Sequence, residues 1–298
     1  MKNKTVFIIA GPTAVGKTSV AIHLAQHLQT KIISADSRQC FKELNIGVAK
    51  PSDAELEMVH HYFINSHSIH ENVNAAMFEQ LSLKWADEIF QQNDVAVMVG
   101  GTGLYLKAFC EGMDEMPAVD PSVRKKIQER FKEKGIGWLQ EEMKISDPEY
   151  YQSGEMLNPH RMMRALEIKL GTGLSIQSFK SKQKKTRAFS IKKIGLQLPK
   201  EQLHQHINAR VDDMICKGLL EEAILLQPYK NLNALQTVGY TEFFEYIEGK
   251  ISFAEATEQI KMNTRHYAKR QMTWFRKDES IHWIAPDDLM QLKKITES

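Results

Sequence analysis

Residues 11–18 read Gly11-Pro12-Thr13-Ala14-Val15-Gly16-Lys17-Thr18, the spacing G-x-x-x-x-G-K-T of a phosphate-binding loop. Gly11 and Gly16 permit backbone conformations that turn several N–H groups toward one anion. Lys17 supplies a mobile positive charge, and the Thr18 hydroxyl can ligate Mg²⁺. The apolar run 6–10 precedes the loop and a helical pattern starts near Lys17, so the loop lies between a strand and the positive end of a helix. The ligand this implies is a diphosphate or triphosphate.

A phosphate loop that hydrolyses a nucleoside triphosphate usually works with an aspartate at the end of a neighbouring apolar strand, where it helps to hold Mg²⁺. The run 95–99 ends instead in Gly100-Gly101-Thr102-Gly103, without a carboxylate. The shorter run 32–35 ends in Asp36. This pattern, one acid and no clear metal aspartate, suggests that the anion is a leaving group rather than a fuel.

The elements that must position these groups follow from periodicity. Strands are expected near 5–10, 31–35 and 95–99, separated by helices near 17–29 and 74–92. That alternation predicts a parallel α/β sheet with crossover helices, whose ligands sit beyond the carboxyl ends of the strands. The phosphate loop, Asp36 and the turn 100–103 should therefore share one crevice. After residue 112 the pattern becomes helical, near 120–134, 137–144 and 159–170, until a strand at 191–198. Residues 113–188 are expected to form a helical insertion in a core made of 1–112 and 189–298. The core would end in helices near 200–228 (broken at Gly218), 239–248 and 252–276, then a strand at 281–284.

With 298 residues, 42% hydrophobic and 26% charged, the chain has the composition of a globular protein of more than one unit. No apolar stretch approaches the roughly 20 residues that span a bilayer. The start runs directly into a strand, leaving no room for a signal peptide. Cys40, Cys110 and Cys216 form no metal or disulfide pattern, which points to a reduced, cytoplasmic setting. His60, His61, His67 and His70 match no zinc spacing.

The net charge of +2 conceals two basic runs without acids. One comprises Lys180, Lys182, Lys184, Lys185, Arg187, Lys192 and Lys193; the other Lys261, Arg265, Lys269, Arg270, Arg276 and Lys277. A solvated face or mobile loop is the ordinary reading of such runs. The second is interleaved with His266, Tyr267, Trp274 and Phe275, the combination of cations and flat rings that pairs with phosphates and stacks on bases of single-stranded RNA. Trp274 and Phe275 also fit a core-facing helix stripe.

Read together, these stretches resemble the tRNA dimethylallyltransferase family. The matching segments are GPTAVGKT at 11–18, SADSRQ at 34–39, IGVAKP at 46–51, HHYF at 60–63 and GGTGLY at 100–105. HRMMRALEI at 160–168, GLLEEA at 218–223, VGYTE at 238–242 and TRHYAKRQMTWFRK at 264–277 complete the series in family order. The chain departs from the family pattern at Val48, at Cys40-Phe41 and at His160, where glutamine is common.

The resemblance implies a nucleotide-kinase-like core, a helical insertion gripping the anticodon stem–loop, Mg²⁺, and no membrane partner; a monomer is expected. The implied reaction moves a five-carbon prenyl group from dimethylallyl diphosphate to N6 of the adenosine immediately 3′ of the anticodon, in tRNAs reading codons that begin with U. Residues 11–18 would bind the diphosphate with Arg210, which matches a family arginine and is otherwise a surface helix residue. Asp36 would accept the proton of the amine; a Mg²⁺ ligand and a turn cap are its alternative readings. Thr102 would touch substrate, or its glycine neighbours merely allow close packing. The implied tRNA contacts are Asp36, Ser37, Arg38, Gln39 and Thr102 in the core, Arg124, His160, Arg161 and Arg164 in the insertion, and Gly239, Tyr240, Lys269, Arg270, Gln271, Trp274 and Arg276 near the C-terminus. Three other classes remain open: a prenyltransferase for free adenine nucleotides, which needs neither the insertion nor the basic helix; a small-molecule kinase, which leaves both basic runs idle; and a non-catalytic RNA-binding module, which has no use for Asp36.

Overall fold

The structure, a computed structural model, describes residues 4–181 and 183–297; Met1, Lys2, Asn3, Lys182 and Ser298 lie outside the described residues. Six strands form one parallel sheet: β1 (Thr5–Ala10), β2 (Ile32–Ser34), β3 (His61–Tyr62), β4 (Val95–Gly100), β5 (Ser190–Leu196) and β6 (Ile281–Ile284). Their order across the sheet is β3-β2-β4-β1-β5-β6. Residues 6–10 are buried throughout because helices cover both faces of a parallel sheet, so every side chain of the central strand meets protein.

The crossovers are α1 (Lys17–His27), α2 (Asp53–Met58), α3 (Ala75–Phe90) and α4 (Gly103–Glu111). Since β2, β4 and β1 are neighbours running the same way, their carboxyl ends lie along one edge. The phosphate loop leaves β1, Asp36 follows β2, and the turn 100–103 follows β4, so the three meet there. Close strand packing at this edge depends on Gly100, whose added Cβ would strike the carbonyl of Ala35.

Two compact units divide the chain: the core, up to Gly112 and again from Lys185, and a second unit, Met113–Lys184. The core resumes earlier than residue 189 because Lys185 donates its backbone N–H to Glu111 O at 2.8 Å. The second unit contains α5 (Pro121–Ser146), α6 (Pro148–Ser153) and α7 (Pro159–Thr172). Asp120 caps α5 by accepting from Ser122 N at 2.8 Å, with Pro121 in the first turn. Gly135, at φ 71°, breaks α5 and separates the two helical stretches expected there. Leu139, Met143, Met162 and Leu166 fill this unit's own core.

The core continues through α8 (Lys200–Cys216), α9 (Leu219–Leu226), α10 (Tyr240–Ile247), α11 (Phe253–Phe275) and α12 (Leu289–Glu297). Gly218, at φ 98°, separates α8 from α9 at the expected break. No helix of the described residues is long and apolar enough to cross a membrane. The three cysteines are free.

Candidate active site

The phosphate loop forms a left-handed concavity. Ala14 has φ 63° and Gly16 φ 96°, the positive-φ backbone that lets a loop present N–H groups to an anion. Gly16 stands at the N-cap of α1 without a side-chain cap, which leaves the first N–H groups of the helix for a ligand. Gly11 cannot carry a side chain, because a Cβ would lie 2.7 Å from Leu196 O.

Lys17 folds back over the loop and donates to Pro12 O at 2.7 Å. Its ammonium is pushed down to about 7 by burial, with the Arg210 guanidinium adding to the effect and Asp36 opposing it. Arg210 reaches in from α8 and donates to Thr13 Oγ1 at 3.3 Å. Burial lowers its pKa as well, against Asp213, Asp36 and Glu55, which raise it. Two cations are thus held close together at an anion-shaped loop; an incoming diphosphate relieves their mutual repulsion.

Asp36 closes the turn after β2. Its Oδ1 accepts from Arg38 N at 2.8 Å and Gln39 N at 3.2 Å, which is the cap role the sequence allowed. The turn uses only that oxygen; Oδ2 receives no hydrogen bond from the described residues. Thr102 braces the same turn, its Oγ1 accepting from Ser37 N at 3.1 Å. Gln39 extends its amide to Ala49 O at 2.9 Å, tying the turn to residues 46–49.

Two cavities meet at Asp36. The smaller, about 230 Å³, is lined by Lys17, Thr18, Glu55, His61 and the turn 100–101. The larger, about 500 Å³, is lined by apolar Val211, Met214, Leu219, Val238 and Ile260 and by polar Ser37, Arg38, Thr241, Asn263 and Arg270. Asp36, Arg210, Thr13, Val48, Ala49 and Tyr267 line both. Tyr267 is a wall residue that the sequence offered only as one ring in a basic run. Its phenol is pushed up to about 12 by burial and by Asp36. Arg270 lies over the same ring, 5.8 Å from its centroid.

Other expected site residues fall in different places. Gln271 is 6% exposed; its Oε1 accepts from Thr13 N at 2.8 Å and its Nε2 donates to Gly101 O at 2.9 Å. Both ends of its amide are bonded within the protein, so it braces the phosphate loop while lining the smaller cavity. Tyr240 is 0% exposed and donates to Glu222 Oε1 at 2.5 Å, so it too is a core residue. Gly239 lines the larger cavity. Phe275 is core, whereas Trp274 is 38% exposed with its indole against Gly103. Lys269, Arg270 and Arg276 are exposed on α11 and just beyond it. In the second unit, Arg124 and Arg164 converge on buried Glu167 at 2.9 and 2.7 Å, Arg161 pairs with Glu155, and His160 is exposed. Part of the first basic run is structural: the Arg187 side chain is 10% exposed and bonds Glu79 and the carbonyls of Ala108 and Phe109.

Among the described residues no three His, Cys, Asp or Glu side chains gather to hold a metal. The smaller cavity does carry the Thr18 hydroxyl and the carboxylates of Asp36 and Glu55. These are hard oxygen donors, suited to Mg²⁺ shared with a diphosphate rather than to a metal caged by protein.

A parallel sheet with a phosphate loop after β1 and a single acid after β2 defines a phosphate-loop α/β protein whose site joins an anion pocket to a second chamber. The IPP transferase family model matches residues 39–278, and the chain belongs to that family. It is 48% identical to the tRNA dimethylallyltransferase of Christiangramia forsetii, over 97% of this chain and 95% of that one. It is 44% identical to that of Cytophaga hutchinsonii, over 99% and 97%. Among solved structures, the tRNA isopentenylpyrophosphate transferase of Bacillus halodurans is 33% identical with a TM-score of 0.71, covering 99% of this chain and 94% of that one. A eukaryotic dimethylallyltransferase acting on tRNA is 27% identical with a TM-score of 0.79, covering 99% and 77%.

Proposed function

We propose that this protein transfers a dimethylallyl group from dimethylallyl diphosphate to N6 of the adenosine at position 37, 3′ of the anticodon, in tRNAs reading codons that begin with U. It would act as a monomer in the cytoplasm. The observation that carries this reading is the position of Asp36, which lines both the anion pocket and the larger chamber. The relatives' names point to the same reaction.

In this reading residues 11–18 and Arg210 hold the diphosphate. Mg²⁺, which Thr18 and the Glu55 carboxylate of the smaller cavity would hold, would supply further positive charge to the diphosphate. As N6 attacks the allylic carbon, a C–N bond forms, the C–O bond breaks, and the electron pair leaves on the diphosphate. Lys17, Arg210 and the loop N–H groups stabilise the charge that develops there. The amine is a weak nucleophile because its lone pair is delocalised into the ring, so it needs orientation and a proton acceptor. Asp36 Oδ2 takes the N6 proton. The target base must leave its stack to reach this acid, and the larger chamber beside Tyr267 and Arg270 has the volume for it.

The test is to incubate the protein with Mg²⁺, dimethylallyl diphosphate and unmodified tRNA, then weigh the digested nucleosides by mass spectrometry. Adenosine heavier by one prenyl group is expected, and a nuclease fragment of the same tRNA that spans the anticodon loop should carry that added mass at position 37. Unmodified tRNA with prenylated AMP in a parallel reaction would instead assign the protein to the free-nucleotide enzymes.

A further inference from the structure

Residues 46–49 form the partition shared by the two cavities, yet no side chain of this segment does chemistry. Val48 and Ala49 line both cavities, and Gly47 lines the larger. The segment is a tight turn, with Ala49 N bonded to Ile46 O at 2.9 Å and Ala49 held at φ 47°, a conformation non-glycine residues seldom adopt. Such a turn persists only where its surroundings over-determine it.

The restraint comes from one carboxylate on α9. Glu222 Oε2 accepts from Ile46 N at 2.8 Å, and Oε1 accepts from Gly47 N at 3.0 Å and from Tyr240 Oη at 2.5 Å. Two consecutive backbone donors thus meet the two oxygens of a single acid, and a buried phenol fixes the acid's orientation. Tyr240 also fills the space beside the turn: a Cβ on Gly47 would lie 2.5 Å from its ring. On the far side of the turn, Gln39 donates to Ala49 O at 2.9 Å and Val48 O at 3.3 Å, while Gln39 N donates to Asp36 Oδ1 at 3.2 Å. An unbroken chain of hydrogen bonds therefore runs from Glu222 through the partition to Asp36.

We propose that Glu222 is a positioning residue for prenyl transfer, setting the partition 46–49 and, through Gln39, the orientation of the Asp36 carboxylate. The inference rests on the functional reading above. Glu222→Gln preserves shape but replaces one acceptor oxygen with a donor, so either Ile46 N–H or the Gly47 and Tyr240 donors face an NH₂ group. The partition then shifts, and a displacement near 1 Å at the reacting groups costs about 10- to 100-fold in rate.

The experiment compares single-turnover transfer to tRNA, tRNA affinity by filter binding, and thermal melting for the parent protein and Glu222→Gln. The expected result is a transfer rate lower by about 10- to 100-fold, with tRNA affinity within about 3-fold and a folded protein at the assay temperature. Amide exchange at Ile46 and Gly47, both bonded to Glu222, should be slow in the parent and faster in the variant. A rate per folded molecule within about 2-fold of the parent overturns the proposal, as does a loss that tracks tRNA affinity alone. Should Glu222→Gln fail to fold, Tyr240→Phe removes one of the three donors with little change in shape; it should slow transfer several-fold, and an unchanged rate overturns the proposal. Absence of transfer by the parent overturns the functional reading itself, an outcome distinct from an active parent with an equally active variant.

Discussion

Thr13 in the phosphate loop and Gln271 on the last long helix of the core are 258 residues apart in sequence and share a hydrogen bond of 2.8 Å. The other end of the same amide holds Gly101 at 2.9 Å, so one side chain spans the loop after β1 and the turn after β4. A Cβ at Gly101 would collide with that amide, which explains the glycine there. The crevice is thereby closed from the C-terminal side by a residue whose segment, 264–277, the family resemblance marked, but as a tRNA contact and not as this brace.

Replacing Gln271 by leucine leaves Thr13 N–H and Gly101 C=O without their partner. We expect a loss of about 1–3 kcal/mol in stability, the cost of unsatisfied buried groups. The Michaelis constant for the diphosphate donor should rise about 10-fold as the loop loosens, while tRNA affinity changes little. Denaturant unfolding and steady-state kinetics on one preparation check both parts.

Asp36→Asn keeps the turn, because the remaining carbonyl oxygen can still accept from Arg38 N and Gln39 N. It removes the proton acceptor. Transfer should slow by about 10²- to 10⁴-fold, the usual contribution of general-base catalysis, with tRNA affinity within a few-fold. Rapid-quench transfer assays alongside filter binding would measure the two effects; a rate equal to that of the parent would exclude the base role.

Much of this was legible in the residues. The strands at 5–10 and 95–99 are long apolar runs bounded by glycine, and helices such as Pro159–Thr172 announce themselves with an Asn-Pro start. The two-residue strand His61–Tyr62 and the six-residue helices Asp53–Met58 and Pro148–Ser153 carry too few residues for a period to emerge. That Lys17 and Asp36 would share one crevice was legible from residue type and position. The roles of Gln271, Tyr240 and Arg187 were not: charge, amide and aromatic character look alike on an exposed helix and in a buried brace, and only tertiary packing separates them. Tyr267 could have been found by its spacing from Gln271, one helical turn away on the same face.

Lys17 makes donor binding depend on pH. In the free protein its ammonium titrates at about 7 because burial and Arg210 oppose the charge. A bound diphosphate favours the charged form and raises that value. Binding therefore takes up a proton above pH 7, and affinity is highest below the free-protein value. It falls as pH rises from there toward the value in the complex, by at most about tenfold per pH unit. The diphosphate titrates as well, so the informative quantity is the difference between the parent and Lys17→Met. Calorimetry at pH 8 in buffers of different ionisation enthalpy should show more proton uptake for the parent, and equal uptake would remove Lys17 from the linkage.

Lys269 and Arg276 are exposed near the carboxyl end of α11 and have no ion-pair partner among the described residues. Arg187 and Lys193, by contrast, are paired with Glu79 and Asp278. Basic side chains already neutralised within the protein release few counterions when RNA binds; free ones release more. A plot of log affinity for tRNA against log salt should therefore lose about 0.7–0.9 of slope for each phosphate contact removed. Lys269→Ala and Arg276→Ala should each flatten it by that amount and weaken binding most at low salt. Lys193→Ala, which breaks the 2.6 Å pair with Asp278, should leave the slope unchanged while lowering stability. Filter binding at four or five salt concentrations separates the cases. An equal slope for all three variants would mean that the exposed basic end of this helix does not meet the phosphate backbone.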